Sequence, residues 1–326
     1  VPSKPAPTDD EADPRTVAEL SEFALIDELT KGRGQGAGVL LGPGDDAALL
    51  TAADGRVVAS TDVLVESVHF RFDWSTPEQV GRKAAAVNLA DLAAMGARPT
   101  ALLLGIGCPA TTRVAVLREL TAGLWREAQL VGAGLAGGDV VTAGQLVITV
   151  TALGDLGGHA PVTRTGARPG DVLAVCGRLG WAAAGLAVLG RGFRSPVAVV
   201  NAQRWPEPPY GAGPRAAEQG ATSMIDVSDG LLADLGHLAS ASGVSIDVQT
   251  ARVVIPQRLA EVGSALGADP MRWILTGGED HCLAATFPEP SAVPEDWTLI
   301  GSVGRGAGVT VDGEAYAGPG GWEHWR

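Results

Sequence analysis

TPEQVGRKAAAVNLADLAAMGARP, residues 76–99, is the stretch on which the reading of this chain turns. Thr76 is placed to cap a helix, Pro77 suits the first helical position, Gln79 completes a capping box, and Gly96 followed by Pro99 ends the run. Between these signals the apolar residues from Ala84 to Ala94 cover nearly the whole circumference, so the helix is expected inside a core, with Asp91 among them. A lone carboxylate cannot be buried cheaply; it must be paired, protonated or bound to a cation.

Outward from this helix, strand-like runs at 38–41, 57–65, ALLLGIG (101–107) and QLVITVTALGDL (145–156), with a helical pattern over 113–131, predict mixed α and β structure to about residue 155. Residues 1–15 open with four prolines, four acids and one lysine and are expected to form a disordered tail. The Ser/Thr-x-x-Glu box TVAE predicts a helix from Thr16 through Leu29, broken by KGRGQGAG. After the polar, glycine-rich segment 157–171 the pattern restarts. DVLAVCG (171–177) reads as a strand, LGWAAAGLAVL (179–189) as a helix, 195–214 as an irregular proline-rich connection, and a helix is expected from about 228, with strands near 244–248 and 281–287. The fold class is α+β or α/β in two domains, 16–156 and 157–326.

The chain has 326 residues, 46% of them hydrophobic and only 5% aromatic, enough for two medium domains packed through small side chains. A net charge of −13, a pI near 4.8 and the lack of a basic run argue against duplex nucleic acid and anionic membranes as partners. Cys108, Cys176 and Cys282 form no C-x-x-C pair, so neither a disulfide framework nor structural zinc is expected, and a reducing cytoplasm fits. No signal segment and no apolar run of the roughly 18–20 residues a membrane span needs is present, so a soluble protein is expected.

Aspartates recur beside glycine or small hydroxyl residues: GPGDDAAL (Asp45, Asp46), ASTDVLVE (Asp62), VNLADLAAMGA (Asp91), AGGDVV (Asp139) and IDVSDGL (Asp226, Asp229). Any one of them could be a turn former, and Asp45 is read that way. For the set, nearby bases are few, with Lys83 and Arg98 closest in sequence, and hard divalent cations are the economical counter-charge. Mg²⁺ takes oxygen ligands and shares its shell between a few carboxylates and substrate phosphates. GPGDDA matches a dinucleotide fingerprint in form, but two acids would repel a bare pyrophosphate and no helix pattern starts there. There is no G-K-[ST] and no D-x-[DN]-x-[DN]-G, which removes a Walker A loop and an EF-hand.

Taken in order, GPGDDAALL, STDVLVESVHF, GRKAAAVNLADLAAMGARP, GGD (137–139), TRTGARPGDVLAV, IDVSDGLLADL, LTGGED and the terminal GWEHW resemble the thiamine-monophosphate kinase family over roughly residues 17–326. That family lies within the ATP-using superfamily that includes aminoimidazole ribonucleotide synthetase and selenophosphate synthetase. The resemblance implies an N-terminal ATP- and Mg-binding domain completing a β-barrel across a homodimer, and a C-terminal α/β domain. It implies transfer of the ATP γ-phosphate to thiamine monophosphate. It further implies several Mg²⁺ ions bound by Asp46, Ser60, Thr61, Asp62, Asp91, Asp139, Asp226 and Asp229. ATP contacts are implied at Thr121, Gly138, Asp139, Arg164 and Ser228, and substrate contacts at His69, Glu279 and Trp322. Two features depart from the pattern: Thr121 stands where relatives often carry tyrosine, and His281-Cys282 follows GGED where Tyr-Glu is usual.

The residues agree with such chemistry. A phosphate monoester acceptor, with its second pKa near about 6, is already ionised at neutral pH, so no general base is needed. The lack of a Ser-His-Asp or Cys-His constellation is then expected, because phosphoryl transfer rests on positioning and charge stabilisation. Two other readings remain open at this point: another ATP-dependent enzyme of the same superfamily, aminoimidazole ribonucleotide synthetase-like, and a non-catalytic Mg/nucleotide-binding protein.

Overall fold

The computed structural model describes residues 13–43 and 47–322. The chain runs through α1 (Glu22–Thr30), β1 (Val39–Leu41), β2 (Leu49–Leu50), β3 (Val58–Val65), α2 (Pro77–Ala94), β4 (Arg98–Cys108), α3 (Val114–Gln129), β5 (Gly134–Thr142) and β6 (Val147–Asp155). It continues through β7 (Val172–Cys176), α4 (Trp181–Gly190), α5 (Val197–Arg204), α6 (Ala212–Glu218), β8 (Ser223–Val227), α7 (Leu231–Ser242) and β9 (Ser245–Val248). α8 (Gln257–Leu266), α9 (Pro270–Thr276), β10 (Cys282–Phe287), β11 (Thr298–Gly304), β12 (Gly308–Val311) and β13 (Glu314–Ala315) complete it.

Two compact units emerge. The first holds the described residues up to Thr51 with Thr61–Ala85 and Thr100–Ala152; the second holds Ala52–Ser60, Ala86–Pro99 and the described residues from Leu153 onward. Helix α2 starts as its sequence demands: the Thr76 N–H donates to Gln79 Oε1 (3.0 Å) and the Gln79 N–H to Thr76 Oγ1 (3.3 Å). It stops at Gly96, whose φ of +74° lies in the left-handed region that glycine tolerates.

The first unit centres on a four-stranded sheet in the order β3-β6-β4-β5, with β4 and β5 parallel. Along β6 buried and half-buried positions alternate, the period of a strand with one face in the core. Helix α3 lies against the first half of α2 so closely that a Cβ on Gly81 would sit 1.8 Å from the Leu120 carbonyl oxygen, and one on Gly123 1.9 Å from that of Glu78. The TVAE box does form, since the Glu19 carboxylate accepts from the Thr16 N–H at 2.6 Å, but it closes only a 3₁₀ turn over Val17–Glu19. The chain then extends at Leu20, and α1 begins afresh with Ser21 as its cap. Residues 1–12 of the expected tail lie outside the described residues. Asp13 and Arg15 do not behave as a tail: Arg15 binds Asp13 (2.8 Å) and Glu28 (2.7 Å), and Arg118 reaches Glu28 as well (2.7 Å).

The second unit holds a seven-stranded sheet, β13-β12-β9-β11-β7-β10-β8. Strand and helix alternate here, yet every pairing is antiparallel except β12 with β9. One sheet face, with Val175, Ile225, Val227 and Ala284, packs on α7 through Leu231, Leu235 and Leu238. The other, with Met224, Leu283, Ala285 and Phe287, is covered by Ala93 and Ala94 at the end of α2 and by Ala212 and Ala216 of α6. Small residues permit this approach: a Cβ on Gly213 would lie 1.9 Å from the Ala93 carbonyl oxygen. The connection expected to be irregular, 195–214, is so over 205–211 but is helical over 197–204 and from 212 onward. Pro196 occupies the N-cap position of α5, Val199, Val200 and Ala202 form a buried face, and Gly185 of α4 lets the Val199 carbonyl approach. Among the described residues no helix is long and apolar enough to cross a membrane.

Candidate active site

In the second unit the chemistry gathers where β8 and β10 meet the end of α2. Alternation along β8 puts Ile225 and Val227 on the α7 face, and Met224 and Asp226 on the face that α2 covers. Asp226 is buried, and its Oδ2 lies 3.2 Å from Nδ1 of His281, itself buried. His281 is brought there by the backbone: its N–H donates to the Val227 carbonyl (2.9 Å) and the Glu279 N–H to that of Ser228 (2.7 Å). Both residues take left-handed φ angles, +50° at His281 and +70° at Glu279, which turn the chain between α9 and β10. Burial disfavours the imidazolium, but the hydrogen bond to Asp226 and the charges of Asp226, Glu279 and Asp91 outweigh it, and the imidazole pKa is raised.

Asp91 is half-buried, less enclosed than its apolar neighbours led the sequence to suggest. It accepts a hydrogen bond from Ser60 Oγ at 2.5 Å. Of the two bases nearest it in sequence, Lys83 donates to the His69 carbonyl (3.1 Å) and Arg98 to Glu218 (2.9 Å).

The loop after β8 carries Ser228 and Asp229, both half-buried, and is pinned from beneath. Asp234 Oδ2 accepts from the N–H groups of Ser228 (3.0 Å), Asp229 (3.0 Å) and Gly230 (3.1 Å). Burial, then the charge of Asp226, lifts the Asp234 carboxyl to about 7, while those N–H donors pull the other way. The Trp322 N–H donates to the Asp229 carbonyl (2.9 Å), and Gly321 packs so tightly there that a Cβ would lie 2.5 Å from that oxygen. The Trp322 side chain stays exposed beside the loop. Asp280 braces the neighbouring turn, accepting from the N–H groups of Gly180 (2.5 Å) and Ala182 (2.8 Å) at the start of α4. Arg164 is exposed.

In the first unit, Thr61 Oγ1 donates to the Val150 carbonyl (3.0 Å), Asp62 is half-buried on β3, and His69 Nδ1 accepts from the Val65 N–H (3.0 Å). Gly138 and Asp139 lie not in a loop but within β5, both exposed. A Cβ on Gly138 would come within 2.0 Å of the Leu104 carbonyl, so close strand packing alone demands glycine there. Thr121 is fully buried, and its hydroxyl donates to the Leu117 carbonyl of its own helix (2.7 Å). Asp46, and with it Asp45, lies outside the described residues.

Among the described residues no three His, Cys, Asp or Glu side chains gather as a metal-ligating group. The second unit presents two hydrogen-bonded carboxylates, Asp91 with Ser60 and Asp226 with His281. That donor set, carboxylate and hydroxyl oxygen, still suits Mg²⁺, which commonly takes one or two protein carboxylates and completes its shell with phosphate and water. Sequence reasoning did not single out Asp234 and Asp280, and it noted His281 only as a departure. An acid four residues after Gly230 at a helix start, and one directly after G-G-E, were the available signals.

Comparison with known proteins is consistent across sequence and structure. Residues 44–156 match the model of the AIR synthase related protein, N-terminal domain. Over 310 residues, 94% of this chain and 92% of the relative, the sequence is 54% identical to a thiamine-monophosphate kinase of Mycobacterium tuberculosis. A thiamine-monophosphate kinase structure from Stenotrophomonas maltophilia K279a superposes with a TM-score of 0.78 at 35% identity, covering 91% of this chain and 98% of that one. A structure of AaThiL complexed with AMPPCP and TMP superposes with a TM-score of 0.79 at 32% identity, covering 94% and 98%. By identity and coverage on this scale, the chain belongs to the thiamine-monophosphate kinase family.

Proposed function

We propose that the protein transfers the γ-phosphate of ATP to the phosphate of thiamine monophosphate, giving thiamine diphosphate and ADP. The observation that carries this reading is 54% identity over 92% of a thiamine-monophosphate kinase. The solved relative complexed with AMPPCP and TMP supports both substrates.

Asp46, Asp62, Asp91, Asp139, Asp226 and Asp229, with Ser60 and Thr61, would hold Mg²⁺. When bound, the cations supply the positive charge that lets two polyanions meet on a protein of net charge −13. Gly138, Asp139, Arg164 and Ser228 would contact the nucleotide. Thr121 is left out of this set, because its hydroxyl already serves its own helix. His69, Glu279 and Trp322 would contact thiamine monophosphate, with the exposed Trp322 ring available to the thiazolium cation. The protein needs to supply no base: the acceptor phosphate is ionised at neutral pH, and transfer depends on alignment and charge. His281, whose Nδ1 faces the Asp226 carboxylate, is engaged in that pair. The active form is a homodimer, in the cytoplasm, with the four-stranded sheet of residues 16–156 contributing to a barrel across the dimer.

The test is direct. Purified protein is incubated with Mg-ATP and thiamine monophosphate, and thiamine diphosphate and ADP are quantified. Asp91→Asn is expected to abolish turnover with the circular-dichroism spectrum unchanged. ATP binding without thiamine diphosphate formation would favour a non-catalytic nucleotide-binding role.

A further inference from the structure

We infer that His281 is a positioning residue for Asp226: its imidazole N–H holds Oδ2 of that carboxylate so that Oδ1 is presented to the divalent cation. The inference rests on the reading of Asp226 as a magnesium ligand and concerns a residue that departs from the tyrosine usual after GGED in the family.

Asp226 stands on β8 with its side chain only 7% exposed, and a carboxylate so enclosed needs a partner. Its neighbours along the same face are apolar: Met224 on its own strand, Leu283 across the ladder on β10. The polar contact recorded for it is Nδ1 of His281 at 3.2 Å. A carboxylate only accepts, so Nδ1 carries the hydrogen, and the bond fixes which oxygen is engaged. The imidazole cannot easily leave. The backbone N–H of His281 is bonded to the Val227 carbonyl, directly after Asp226, and Asp280 beside it is anchored to the first turn of α4. Ligand and orienting group therefore sit on β8 and directly before β10, two strands locked in register with Cys282 facing Val227 and Leu283 facing Asp226. A side chain that hydrogen-bonds a metal ligand sets the ligand's orientation and basicity, and its loss typically weakens metal binding by about 10–100-fold. Asp91, whose charge acts on His281, enters the same neighbourhood from α2.

The experiment compares the wild type with Asp226→Asn, His281→Leu and His281→Gln in Mn²⁺ titrations read by electron paramagnetic resonance, in the presence of a non-hydrolysable ATP analogue. His281→Leu removes the donor; His281→Gln keeps an N–H near its place. Expected are Mn²⁺ dissociation constants raised about tenfold or more in His281→Leu and within about threefold of wild type in His281→Gln. In steady-state assays the leucine variant is expected to need more Mg²⁺ at an unchanged KM for thiamine monophosphate. Equal losses in both His281 variants, or in neither, overturn the inference while Asp226→Asn still weakens Mn²⁺ binding. If Asp226→Asn binds Mn²⁺ like wild type, the ligand reading of Asp226 falls and the positioning role with it. Should the leucine variant fail to fold, judged by its unfolding midpoint, His281→Ala carries the same comparison.

Discussion

Replacing Asp280 with asparagine separates the cost of a buried charge from the benefit of a helix cap. Asp280 is 6% exposed, and burial raises its carboxyl to about 7 against the backbone N–H groups of Gly180, Trp181 and Ala182 and the charge of His281, all of which favour the anion. In the unfolded chain the same group titrates near the ordinary carboxylate value of 3.8. Because the folded value is the higher one, the native state keeps its proton where the unfolded state has lost it. The contribution is thus fully present below pH ~4 and is lost as pH rises through ~7. The difference between the two values corresponds to roughly 4 kcal/mol across that window. Asparagine has no such titration, but it offers an NH₂ to one of two backbone donors, a loss of about 1–3 kcal/mol. The variant should be less stable than wild type near pH 4.5, and should draw level or become more stable by pH 8. Urea unfolding of both proteins at half-unit pH intervals measures the difference. A gap that stays constant within about 1 kcal/mol over the range would refute the assignment of a raised carboxyl to Asp280.

Two further outcomes follow from the geometry. Trp322 is 66% exposed, so Trp322→Ala should leave the unfolding midpoint unchanged while raising KM for thiamine monophosphate about two- to fivefold, the worth of roughly 0.5–1 kcal/mol of cation–π contact at an exposed site. Gly81→Ala puts a methyl 1.8 Å from a backbone oxygen that cannot move alone, and should cost about 1–3 kcal/mol or more of stability in thermal unfolding, where an exposed helical glycine would gain from the same change.

Much of the chain was legible from short-range signals. The Thr76–Gln79 box, Pro77 and Gly96 bracket α2 as they do in the structure, and the apolar runs at 145–156 and 171–177 mark β6 and β7 to within two residues. Local rules misled where a neighbour intervened. Residues 195–214 are rich in proline, yet α5 forms because its valines find α4. GGD does not read as a strand, yet it lies in β5, where the Leu104 carbonyl leaves no room for a side chain at Gly138.

By itself the sequence determined the limits of α2 and the helix and strand periodicities that bury the core, since capping, turn formation and amphipathic spacing act over a few residues. Only the tertiary structure decided the antiparallel order of the second sheet, the Ser60–Asp91 contact across 31 positions and the His281–Asp226 contact across 55. Those pairings depend on which backbones pack closely enough to exclude water, and no local pattern in the chain encodes that distance.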